Sequence, residues 1–65
     1  MNKRYQPISY DDEIGLDEHH PEQNTKSAAI AAAKSYSRVS AVYDHQARRL
    51  VWASSDFPTI LINEN

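Results

Sequence analysis

Three sets of side chains in this chain are of types that do chemistry. The first is His19 and His20 beside Asp17, Glu18 and Glu22. Imidazoles and carboxylates are metal donors, but a zinc site needs three or four ligands held in fixed geometry. Adjacent histidines on an acidic loop do not supply that, and His45 would join them only through folding or dimerisation. The expectation is two solvated histidines near carboxylates, and no metal. The second set is the serines, Ser27, Ser35, Ser37, Ser40, Ser54 and Ser55 among them. None lies in the G-x-S-x-G turn that presents a nucleophilic hydroxyl. The lone glycine, Gly15, cannot build a phosphate-cradling loop. The chain has no cysteine, which removes thiolate chemistry, thiolate metal sites and disulfides. The third set is the carboxylates, which crowd into a segment that reads as flexible, where the tolerances of catalysis are hard to hold. The residues therefore predict a protein that is not an enzyme and carries no cofactor.

Binding is the remaining chemistry, and the charge is arranged for it. Asp11, Asp12, Glu13, Asp17, Glu18 and Glu22 fall in a run free of Lys and Arg, whereas Lys34, Arg38, Arg48 and Arg49 face only Asp44 over the stretch 34–49. The net charge of −2 lacks the basic surplus of an autonomous nucleic-acid binder. Ile14 and Leu16, aliphatic within the acidic run, have the make-up of a short binding epitope. Trp52, Phe57 and Ile60 are apolar anchors of the kind that dominate interfaces. The predicted partner-binding residues are thus Asp11, Asp12, Glu13, Ile14, Leu16, Asp17, Glu18, Trp52, Phe57 and Ile60. The alternative is contact with nucleic acid through Lys34, Arg38, Arg48 and Arg49, with aromatics beside them to stack on bases.

The elements that must position these residues are few. Residues 1–23 read as an acidic, partly flexible segment with an edge strand over 3–10, because Pro7 has no N–H for a central ladder. Residues 24–63 read as a helix-hairpin domain. Asn24 or Thr25 caps a helix over about 25–37, where alanine loses no side-chain entropy. Ala29, Ile30, Ala33 and Tyr36 share one face of it. Residues 38–44 and 49–54 alternate as strands of a hairpin around a four-residue loop. The register sets Asp44 opposite Arg49, Tyr43 opposite Leu50, Val42 opposite Val51 and Ala41 opposite Trp52. Val39, Ala41, Tyr43, Leu50 and Trp52 then form the face expected to pack on the helix. A further strand is expected over 58–63. A chain of 65 residues buries only about 60% of the surface its unfolded state exposes, so a homodimer or an obligate complex is expected. Lys3 and Arg4 precede no apolar stretch, and no apolar run is long enough to span a bilayer, so a cytoplasmic protein is expected.

From Lys26 to Trp52 the order is an Ala-rich helix, then SAVYD, a short loop and RRLVW. This layout resembles compact proteins encoded by phages, plasmids and other mobile elements, small anti-CRISPR proteins among them. The resemblance is architectural and transfers no functional residue. It implies a protein that binds and blocks host machinery without catalysis. The expected fold is α+β, one helix on a small antiparallel sheet built around the C-terminal hairpin (αββ or βαββ). The expected function is binding and modulating, or inhibiting, a larger protein or nucleoprotein complex. A small dimeric nucleic-acid-associated regulator stays open beside it.

Overall fold

The computed structural model describes residues 3–58. It is an α+β fold of order ββαββ: β1 (Tyr5–Asp11), β2 (Gly15–Asp17), α1 (Lys26–Tyr36), β3 (Ser40–Asp44) and β4 (Arg49–Ala53). The strands form one antiparallel sheet in the order β2-β1-β3-β4, with α1 packed across β1 and β3.

The helix forms where alanine propensity and capping coincide. Thr25 Oγ1 accepts the Ala28 N–H at 3.2 Å, and the Ser37 N–H closes the last turn on the Ala33 carbonyl. Ala29 and Ala33 are fully buried, with Ile30 half-buried beside them. Tyr36, expected on the same face, is instead 41% exposed.

The β3–β4 loop is pinned by Asp44. Its Oδ1 accepts the N–H groups of Gln46 (2.9 Å) and Ala47 (3.2 Å), and its carbonyl accepts that of Arg48 (2.7 Å). Arg48 takes φ 61°, a left-handed conformation that strains residues bearing a Cβ. Arg48→Gly should therefore raise stability by about 0.5 kcal/mol, strain relief outweighing the larger unfolded-state entropy. A lower urea midpoint would show that the Arg48 side chain contributes more than its backbone costs.

Asp44 pairs with Arg49 and Tyr43 with Leu50, as the alternation predicts. Beyond them the register shifts: Val42 pairs with Trp52 and Ala41 with Ala53, in place of Val42 with Val51 and Ala41 with Trp52. Val51 is the extra residue of a β-bulge. The bulge moves Trp52 to the face of Val51, so the helix packs on Tyr5, Val42, Val51 and Trp52. The opposite face gathers Ile8, Tyr10, Val39, Ala41, Tyr43, Leu50 and Ala53 against Phe57. The face expected under the helix is therefore the one that Phe57 covers. Bulky Trp52 joins the helix side because the bulge breaks the period of two.

β1 is an inner strand, not the edge strand that Pro7 suggested. Its even-numbered residues bond toward β3, as in Tyr10 N–H to the Val39 carbonyl, while Tyr5 exchanges hydrogen bonds with Gln23 on the other side. The missing N–H of Pro7 thus points toward the β2 side. There the ladder is open between the Ser9–Asp17 pair and the Tyr5–Gln23 bridge. The Pro7 carbonyl is satisfied by Gln6 Nε2, which also donates to the His20 carbonyl at 2.7 Å. A proline is tolerated inside a sheet where the neighbouring strand bows away. The strand expected over 58–63 lies outside the described residues except for its first position.

Candidate partner-binding surface

The acidic run does not hang off the domain. Asp11 to Asp17 makes the β1–β2 hairpin, with Asp11 opposite Gly15, Tyr10 opposite Leu16 and Ser9 opposite Asp17. Asp11 Oδ1 accepts the N–H groups of Glu13 (2.7 Å) and Ile14 (3.3 Å), which fixes the turn. Gly15 leaves it at φ 90°, a conformation open to glycine at no steric cost. Asp17 Oδ1 then accepts the His19 N–H at 3.0 Å and turns the chain off the strand.

The tip presents Ile14 at 80% exposure, with Asp11, Asp12 and Glu13 exposed around it. Leu16, 40% exposed, and exposed Glu18 continue the surface along the sheet edge, and Asp17 is half-buried. The structure thus brings the seven expected residues between Asp11 and Glu18 onto one hairpin. Such an acidic edge with two aliphatic side chains is short and charged, which opposes unselective strand pairing.

The remaining expected contacts lie elsewhere. Trp52 is half-buried on β4, at the opposite edge of the sheet, with Lys34 Nζ 5.8 Å from its ring centre. Phe57 is only 4% exposed and belongs to the core, so it is not free to anchor a partner. Ile60 lies outside the described residues. The basic set also divides. Lys34 and Arg38 stand at the C-terminal end of α1, whereas Arg48 and Arg49 lie at the β3–β4 loop. Arg38 Nε is 4.0 Å from Asp56 Oδ2, both well exposed.

Two clusters were not legible beforehand. Arg4 holds Asp44 with two charge-assisted hydrogen bonds of 2.9 Å, Nε to Oδ1 and Nη2 to Oδ2. These bonds, with those from the Ala47 and Gln46 N–H groups, outweigh burial and hold the Asp44 carboxyl at about 2, below the usual 3.8. The same bonds raise the Arg4 guanidinium above its ordinary value. The second cluster is a latch around His20, which is half-buried and not solvated as expected. Its ring stacks on Tyr36 (centroids 3.9 Å apart, planes at 8°), and its Nε2 hydrogen-bonds Ser9 Oγ at 2.9 Å. Asp17 Oδ2 lies 3.7 Å from that same Nε2. A nucleophile relay needs the carboxylate on the other ring nitrogen, so the trio ties the 17–20 segment to β1 and the helix. His45 Nε2 meets Glu22 Oε2 at 3.2 Å. Among the described residues, no three His, Asp or Glu side chains converge as metal ligands, and no helix is long and apolar enough to cross a membrane.

The β1–β2 hairpin did leave a signal: two β-like runs separated by a short stretch beside the only glycine. The Arg4–Asp44 pair left none, being 40 residues apart in sequence. In comparison with known proteins, the chain matches no protein-family model, no curated protein and no solved structure.

Proposed function

We propose that this chain is a small non-catalytic protein that binds a larger, basic macromolecular partner through its β1–β2 hairpin and modulates or inhibits it. Phage and mobile-element accessory proteins act in this way. The observation that carries the reading is the tip itself. Ile14 stands exposed on a turn pinned by Asp11, within a ring of carboxylates. A loop held in one conformation loses little entropy on binding. The carboxylates would supply complementarity to a basic surface, including one that otherwise receives phosphates. The nucleic-acid alternative has less support, because its four cations divide between two ends of the molecule.

The test is capture of the partner from host lysate by wild type and by two variants, Ile14→Ser and the double change Asp12→Lys, Glu13→Lys. These exposed positions should alter stability by no more than about 0.5 kcal/mol. Both variants should lose the captured protein, and nuclease should leave wild-type capture intact. Equal capture by the variants would exclude the hairpin as the contact. Loss on nuclease treatment, with a steep salt dependence, would transfer the reading to nucleic acid. Sedimentation of the same material tests the proposed homodimer, and a single monomeric species would remove it.

A further inference from the structure

β2 and β4 are the two edge strands of the sheet, and as edges they differ. β4 is bulged at Val51, which interrupts a regular ladder. β2 pairs regularly with β1 over all three of its residues. The hydrogen bonds fix which of its main-chain groups face outward. The Tyr10 N–H donates to the Val39 carbonyl, so Tyr10 turns its main chain to β3. Alternation then turns Ser9 and Asp11 to β2, where they oppose Asp17 and Gly15. Tyr10 and Leu16, between them, form a pair that exchanges no hydrogen bonds. The Leu16 N–H and C=O therefore point away from β1, over an edge where no further strand lies among the described residues.

The side chains sort by the same alternation. Leu16 shares a face with Tyr10, which packs on the Phe57 cluster, and is 40% exposed there. Asp17 shares the other face with Ser9. Exposed Asp12 and Glu13 stand before β2, and exposed Glu18 follows it. A strand laid along this edge sets one side chain beside Leu16 and turns its two neighbours to the face of Asp17. The side chain beside Leu16 meets apolar surface. Those on either side meet carboxylates.

We infer that β2 takes up an extended segment of the partner as a further strand, its main chain bonded to Leu16, with an apolar residue beside Leu16 and Lys or Arg on either side. In strand addition the main chain supplies affinity and alternate side chains supply selectivity. The inference rests on the hairpin reading above and names the chemistry of its partner. A second copy of this chain is a poorer occupant, because two β2 edges would set Asp17 and Glu18 against like charges. A partner helix would leave the Leu16 N–H and C=O to water.

The experiment titrates the isotope-labelled full chain with a short blocked peptide in which Lys and Val alternate, followed by NMR. The controls are the alternating Glu–Val peptide, a peptide with Lys and Val in separate blocks, and the Lys–Val peptide N-methylated along its main chain. The expected result is a saturable shift centred on the Leu16 and Glu18 amides, slowed hydrogen exchange at Leu16, and binding at least about tenfold weaker for every control. Leu16→Pro removes the outward N–H and spares the β1–β2 ladder, so it should keep the fold and bind about tenfold more weakly. Glu18→Lys should also weaken binding. Shifts centred elsewhere, equal binding of the block or N-methylated peptide, or unaltered affinity in Leu16→Pro would each overturn the inference. The N-methylated peptide decides the matter even where Leu16→Pro fails to fold. Capture from lysate separates the two readings. A partner lost with Ile14→Ser but kept with Leu16→Pro leaves the hairpin contact standing and removes strand addition, whereas a partner kept by both removes the hairpin contact itself.

Discussion

Phe57→Ala should remove a third or more of this protein's stability. Phe57 is 4% exposed and closes the sheet face opposite the helix, against Ile8 and Ala41, with Tyr10, Val39, Tyr43, Leu50 and Ala53 around them. Truncating a buried phenylalanine costs about 3–5 kcal/mol, transfer and cavity together. At roughly 0.05–0.15 kcal/mol per residue, a chain this size has only about 3–10 kcal/mol to lose. No second layer lies over that face to collapse into the gap among the described residues. Urea denaturation followed by circular dichroism measures the loss, and Phe57→Leu, which keeps most of the volume, should cost less than about 1.5 kcal/mol. A folded Phe57→Ala of near wild-type stability would return Phe57 to the partner-binding residues.

The second large effect centres on Asp44, which is 2% exposed. One carboxylate serves four donors: Arg4 Nε and Nη2 and the N–H groups of Gln46 and Ala47. Asp44→Ala leaves all four without that acceptor at once. It should release the β3–β4 turn and the start of β1 together, lowering the melting temperature by several degrees. Asp44→Asn keeps one acceptor oxygen for the turn but loses the charge on Arg4, so it should fall between.

The same carboxylate sets a pH dependence with a definite sign. Its folded pKa, about 2, lies below the usual value of 3.8. Below the higher value the unfolded chain takes up a proton that the folded chain refuses, so acid favours unfolding. The stability due to Asp44 is fully present above about pH 4 and is lost as pH falls through about 2. Other carboxylates titrate nearby, so the measurement is the difference between wild type and Asp44→Asn across that window. The difference should shrink as pH falls. A constant difference would mean that the charge on Asp44 adds nothing to folding.

How much of this was legible in the chain follows the range of the forces involved. The helix, its Thr25 cap and the hairpin around Asp44 and Arg49 depend on neighbours within a few residues, and they appear where the residues suggest. So does the α+β class, because an amphipathic alanine helix and alternating β-formers leave few other ways to bury their faces. The acidic segment was harder. Its composition argues for solvation, yet Asp11, Gly15 and the Tyr10–Leu16 pairing make it a hairpin. Side-chain hydrogen bonds to the turn and one permissive glycine outweighed average polarity there.

What the amino-acid sequence by itself determined is therefore the helix, the strands that became β1, β3 and β4, and the gathering of acid around Ile14, but not β2. The tertiary structure alone decided which surfaces face inward. One extra residue in β4, Val51, carried Trp52 under the helix and left the other face to Phe57. It also placed Pro7 inside the sheet, where the neighbouring strand bows away, and joined Arg4 to Asp44 across 40 residues. The physical reason is that a strand's period of two assigns faces only while its register holds. Register at a bulge, and partners far apart in sequence, are chosen by the packing of the whole chain.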